Sequence, residues 1–156
     1  MAPLPTLSDG EARSRVDGAL AQRLAAIEAR FQLAANPRTA LDRLSPAGRR
    51  ELSAARDAII AGQQDPSGAG GIRAAVELMR RELTLNRYAG RLAFDPRFEA
   101  ATDQLMAGIT PERLARDGYA ATLSQVIADV KRLANDVLGP PATAFPTRIE
   151  TALGGG

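Results

Sequence analysis

Apolar positions along this chain recur at helical spacing and nowhere alternate as a half-buried strand would over a useful length. Val16, Leu20, Leu24, Ile27 and Phe31 step by three and four, so they share one face of a helix. Ser8 with Glu11 three residues later has the form of a capping box and predicts the start of that helix, and Asn36 predicts its end. A turn through Leu41 and Leu44 is followed by a second helix over Pro46 to Ala61, with Leu52, Ile59 and Ile60 expected inward. Residues 62–71, Gly-Gln-Gln-Asp-Pro-Ser-Gly-Ala-Gly-Gly, read as a plain connector. They lack the Gly-Lys-Ser/Thr ending of a phosphate-cradling loop.

From Gly71 a third helix is predicted, with Ile72, Val76, Met79 and Leu83 on one face. Asp95 to Ala107 forms another, inward through Phe98, Leu105 and Met106 and stopped by Gly108. Pro111 to Asp117 is a short one closed by Gly118. The clearest pattern runs from Tyr119 to Leu138, where Tyr119, Leu123, Val126, Val130, Leu133 and Val137 alternate steps of four and three, widened by Ile127. Each fully buried Leu, Ile or Val there contributes ~1.5–3 kcal/mol, so this helix is expected to anchor the fold. The pattern lasts under three heptads, which favours an intramolecular bundle over a coiled coil between subunits.

Helix starts are marked by capping residues followed by Pro at Asn36-Pro37, Ser45-Pro46, Asp95-Pro96 and Thr110-Pro111. Together these signals predict an all-α chain: a compact bundle of five to seven helices with an extended C-terminal arm. Residues 1–7 form an N-terminal tail, 8–138 the bundle and 139–156 the arm. Met1 to Thr6 lack the basic and apolar regions of a signal peptide, so cytoplasmic production is the expectation. No apolar run approaches the ~18 residues of a membrane span.

Composition narrows the chemistry. Among 156 residues there is no His and no Cys, which excludes thiolate and imidazole metal sites, a Cys nucleophile and a His general base. The scattered Ser residues have no His to activate them, and no Ser-x-x-Lys pattern occurs. Asp95, Glu99 and Asp103 lie four apart on one helix face; acids near a helix start are favoured by its dipole, a simpler account than a divalent-ion site. No catalytic residue, metal or cofactor is assigned. Aromatic residues make up only 4%, so the core is built from aliphatic side chains and Ala. Net charge is +2, and every basic residue except Lys131 is Arg.

Three features carry the functional expectations. The arm leaves the bundle at Gly139-Pro140-Pro141 and then presents Phe145, Ile149 and Leu153, an apolar anchor on a proline-stiffened segment of the kind that docks on a neighbouring subunit, the alternative being that it folds back on its own bundle. A second apolar patch, Leu85, Tyr88 and Leu92, stands roughly opposite the main face of the third helix, to be covered from within or by a partner. Arg73, Arg80, Arg87 and Arg91 fall within an arc of roughly 40° at about 100° per residue, a stripe able to clasp phosphates or to cover the core edge with its aliphatic stems. The resulting reading is a non-enzymatic adaptor or connector subunit of a homo- or hetero-oligomeric complex, docking through its arm. It would be cytoplasmic or part of a phage-like virion, an idea resting on the arm and on no motif. The alternative is a small nucleic-acid-binding or regulatory protein using the Arg stripe, and a third is a chaperone or inhibitor of one partner using the Leu85, Tyr88, Leu92 patch.

Overall fold

The computed structural model describes residues 7–88 and 94–154. These form seven α-helices and two short 3-10 turns, with no strand among the described residues. Helix α1 spans Asp9–Ala35, α2 Pro46–Gln64, α3 Ala69–Arg87, α4 Pro96–Ala107, α5 Pro111–Asp117, α6 Tyr119–Val137 and α7 Arg148–Ala152. The 3-10 turns cover Ala40–Asp42 and Pro140–Thr143. The all-α bundle expected from periodicity is therefore the fold.

The caps account for most boundaries. Ser8 Oγ accepts from the Glu11 N–H at 3.1 Å, Ser45 Oγ from Gly48 at 3.0 Å and Thr110 Oγ1 from Arg113 at 3.1 Å. Asp95 Oδ1 accepts from both Arg97 and Phe98. Each satisfies N–H groups that the first helical turn leaves without a partner. Asn36-Pro37 starts no helix. Asn36 closes α1, and the Asp42 carboxylate gathers the N–H groups of Arg38 and Thr39 around the 3-10 turn instead.

The expected connector 62–71 is built more tightly than its glycines suggest. Helix α2 continues to Gln64 and α3 begins at Ala69, leaving Asp65 to Gly68 as the turn. Asp65 organises it: Oδ1 accepts from the Ser67 N–H and hydroxyl at 2.9 and 2.7 Å, and Oδ2 from the Gly70 N–H at 2.8 Å. These hydrogen bonds to its charged form hold the Asp65 carboxyl below the usual carboxylate range, those from Ser67 most strongly. A Cβ on Gly62 would stand 2.8 Å from the Gly70 carbonyl oxygen, so only Gly lets α2 cross α3 this closely.

Helix α3 is the centre of the molecule. It touches α1, α2, α4, α6, α7 and the second 3-10 turn. Its buried residues run almost round its circumference: Ile72, Val76, Met79 and Leu83 on the expected face, and Ala74, Ala75 and Leu78 beyond it. Small Gly and Ala side chains there let neighbours approach on several sides. Helix α6 presents its stripe as expected, with Leu123, Val126 and Val130 fully buried. It shares the anchoring role with α3. Ile60, expected inward, is instead 37% exposed, one step past the inward-facing Ile59.

The C-terminal segment differs from expectation in where it docks. After Gly139, whose φ of 98° turns the chain out of α6, residues 140–154 lie back on their own bundle. Ile149 and Leu153 join the core, the Arg15 guanidinium donates to the Leu153 carbonyl at 3.0 Å, and Lys131 pairs with Glu150 at 3.3 Å. Burying two aliphatic side chains stabilises this closure by ~1.5–3 kcal/mol each, which is enough for a short helix to stay in cis. Only Phe145 remains outside, at 78% exposure.

Candidate functional site

The Arg stripe is divided: Arg80 is enclosed, Arg73 is partly exposed but engaged, and Arg87 is exposed. Arg73 donates to the Ile109 carbonyl at 2.6 Å and reaches Asp65 at 3.5 Å. Arg80 is the most enclosed, its side chain only 11% exposed, and it pairs with Glu77 at 2.6 Å, Asp103 at 2.6 Å and Glu99 at 3.2 Å. Its Nη1 also donates to Thr102 Oγ1 at 3.1 Å. Arg81 joins the same group through Glu77 at 2.7 Å and through Glu51. Arg87 is exposed beside the Tyr88 ring, and Arg91 lies outside the described residues. A phosphate would have to displace carboxylates already in place at Arg73 and Arg80. The acidic ladder explains this outcome. Glu99 and Asp103, read as dipole-favoured acids, are the partners that pin α4 to α3, while Asp95 caps α4.

Burial is the largest influence on Glu99 and raises its carboxyl above the usual range; Arg80 opposes it, and the like charges of Glu77 and Asp103 add to it. The cluster is thus a structural clasp under charge strain.

The second apolar patch is partly at hand. Leu85 is half-buried, Tyr88 is half-buried with its hydroxyl 3.5 Å from Asp95 Oδ2, and Leu92 lies outside the described residues. Leu85 matters most, because it lines a groove of about 360 Å³. The groove follows from the α2–α3 crossing. The two helices are tight at Gly62 and Gly70, near their connecting turn, and leave space at their other ends, where Leu52 and Ala55 face Leu78 and Leu85. Leu44 closes one end and Ile149 of α7 another.

Three arginines stand at this groove: Arg23 of α1, Arg81 of α3 and Arg148 of α7. Arg81 is neutralised by Glu51 and Glu77. Arg148 reaches Glu82 through its backbone N–H at 2.7 Å and its Nε at 3.7 Å. Arg23 makes no ion pair among the described residues; burial lowers its pKa, the nearby Arg148 lowers it further, and Glu82 only partly compensates. A second hollow of about 210 Å³ continues past Glu51, Arg81 and Leu85 to Phe94, which is 67% exposed.

Periodicity singled out Leu85 but missed Arg23, Leu44 and Leu52 as its neighbours, since α1, α2 and α3 meet there only through the fold. Comparison with protein-family models, curated proteins and solved structures finds no match. No helix among the described residues is long and apolar enough to cross a membrane.

Proposed function

We propose that this chain is a non-enzymatic adaptor that holds a segment of another protein in the groove between α2 and α3. The observation that carries the reading is the groove itself: Leu44, Leu52, Leu78, Leu85 and Ile149 form an open, mostly apolar hollow of a size that accepts several side chains. Open apolar hollows on a helical bundle are the sites where partner segments lodge. Three apolar side chains entering it would contribute about 5–9 kcal/mol, and association costs at least ~4 kcal/mol of that, so the complex is reversible and modest in affinity.

The adaptor reading keeps the role expected from sequence and changes the surface that performs it. The arm holds its own bundle together, with Ile149 forming one wall of the groove. A virion-like particle draws no support from this arrangement, because its premise was an arm reaching a neighbour. The nucleic-acid alternative is weakened for the reasons given for Arg73 and Arg80.

The test is site-specific photocrosslinking in the cells that make the protein. A photoreactive residue at Leu85 is expected to trap a discrete adduct that disappears when Leu52→Arg fills the groove with charge. The same residue at Gln125, on the exposed face of α6, is the control. Adducts of equal yield at both positions, or none at Leu85, would overturn the adaptor reading.

A further inference from the structure

We propose that the partner segment is an amphipathic helix carrying a carboxylate side chain that pairs with Arg23; this rests on the groove reading and assigns the chemistry of its occupant. The charge count at the groove points there. The carboxylate nearest in charge to both Arg23 and Arg148 is Glu82, and Arg148 holds it through both its backbone and its side chain, while Arg23 makes no ion pair with it. Arg23 is left half-buried, repelled by Arg148 and without an ion pair among the described residues. A desolvated guanidinium beside apolar walls is an unfavourable arrangement for the free protein and a favourable one once a carboxylate arrives. Among the described residues the other half-buried arginines without an ion pair, Arg13, Arg15 and Arg30, donate to backbone carbonyls, while Arg80 meets three carboxylates and Arg81 two; Arg23 makes neither kind of contact.

The occupant is a helix because the groove's apolar floor has no strand edge beside it among the described residues. An extended segment would leave its backbone N–H and C=O groups without partners there, whereas a helix satisfies its own. A polypeptide fits better than a compact small acid because the hollow continues beyond Leu85 toward Phe94. The helix lies with its acidic position over Arg23 and its apolar positions against Leu52, Leu78 and Leu85.

The test uses the full chain and a displayed library of amphipathic helical peptides with apolar residues at helical spacing and all other positions randomised. Selection is expected to enrich Asp or Glu at one fixed position relative to the apolar stripe. Replacing that acid by its amide is expected to weaken binding about tenfold, equivalent to ~1.4 kcal/mol. Arg23→Gln is expected to abolish the difference, and Arg23→Glu to select Lys or Arg at the same position, with thermal midpoints confirming that both variants fold. Binders that lose affinity with Leu52→Glu but show no acidic enrichment would overturn the Arg23 pairing and leave the groove reading standing. Binders indifferent to Leu52→Glu, or no binders at all, would overturn both.

Discussion

Helix α3 has an arginine on each of two sides, its own Arg80 toward α4 and Arg23 of α1 across the groove, and the two have opposite fates. Toward α4, Arg80 is enclosed by Glu77, Glu99, Asp103 and the Thr102 hydroxyl, with Phe98 sealed beneath. Toward α1 and α7, the neighbouring hollow is apolar and open, and the cation at its edge, Arg23, has no ion pair among the described residues. Both sides are rich in Arg and Leu in the sequence. What separates them is whether a neighbouring helix delivers acids at the right height. On one side charge locks the fold, and on the other no ion pair among the described residues answers it.

The largest expected effect probes the closed side. Phe98 is fully buried, so Phe98→Ala should destabilise the chain by about 3–5 kcal/mol in denaturant unfolding. The removed ring would leave a cavity under the Arg80 cluster. A loss below ~1 kcal/mol would mean that α4 is not anchored there.

Next comes the direct contrast between the two arginines. Arg80→Met leaves Glu99 partly buried without its ion-pair partner and Glu77 with Arg81 alone, an expected loss of about 2–3 kcal/mol after discounting for the exposed Asp103. Arg23→Met removes a cation with no ion pair among the described residues, and the expected change is within ~0.5 kcal/mol. Equal losses in the two variants would erase the distinction between a structural and an available cation.

The opening of the groove can be tested at its narrow end. Gly62→Ala brings a Cβ to 2.8 Å from the Gly70 carbonyl oxygen and 3.0 Å from the Ala74 Cβ, and backbone there cannot yield cheaply. An expected cost of about 1–3 kcal/mol follows. Gly18→Ala, in open space on α1, should instead stabilise by ~0.5–1 kcal/mol. Matching signs in thermal unfolding would show that the α2–α3 crossing is not set by these glycines.

Much of the helical core was legible in the sequence, and neither the Arg80 clasp nor the groove was. Periodicity places Val16, Leu20, Leu123, Val126 and Val130 inward, because burial of one helix face is a local pattern. Caps at Ser8, Ser45, Asp95 and Thr110 are local as well. The centrality of α3 was harder to read. Its second and third faces are lined by Gly70, Ala74 and Ala75, which give little hydrophobic contrast yet permit close packing. The fate of the Arg stripe needed tertiary information, since Glu99 and Asp103 meet Arg80 across nearly twenty residues of chain or more. The C-terminal arm looked like a free anchor because nothing in its own pattern specifies which surface it meets. Arg23 was invisible for the same reason: being unpaired is a property of the surroundings and not of the residue.

The smallest effect reads the strain within the closed cluster. Burial, helped by the like charges of Glu77 and Asp103, raises the Glu99 carboxyl above its unfolded value despite the Arg80 contact at 3.2 Å. The folded protein therefore keeps the Glu99 proton to higher pH than the unfolded chain does. The stability this contributes is fully present below the ordinary Glu value and is lost as pH rises through the folded one. Gln imitates the protonated form, so Glu99→Gln should not suffer this loss, and the variant should gain on the native chain as pH rises from mildly acid to neutral. Thermal midpoints of the two proteins across that range provide the measure. A gap that closes with rising pH would mean that Arg80 outweighs burial, making the clasp an ordinary ion pair. A gap that widens would show that α4 is held to α3 by charges under tension.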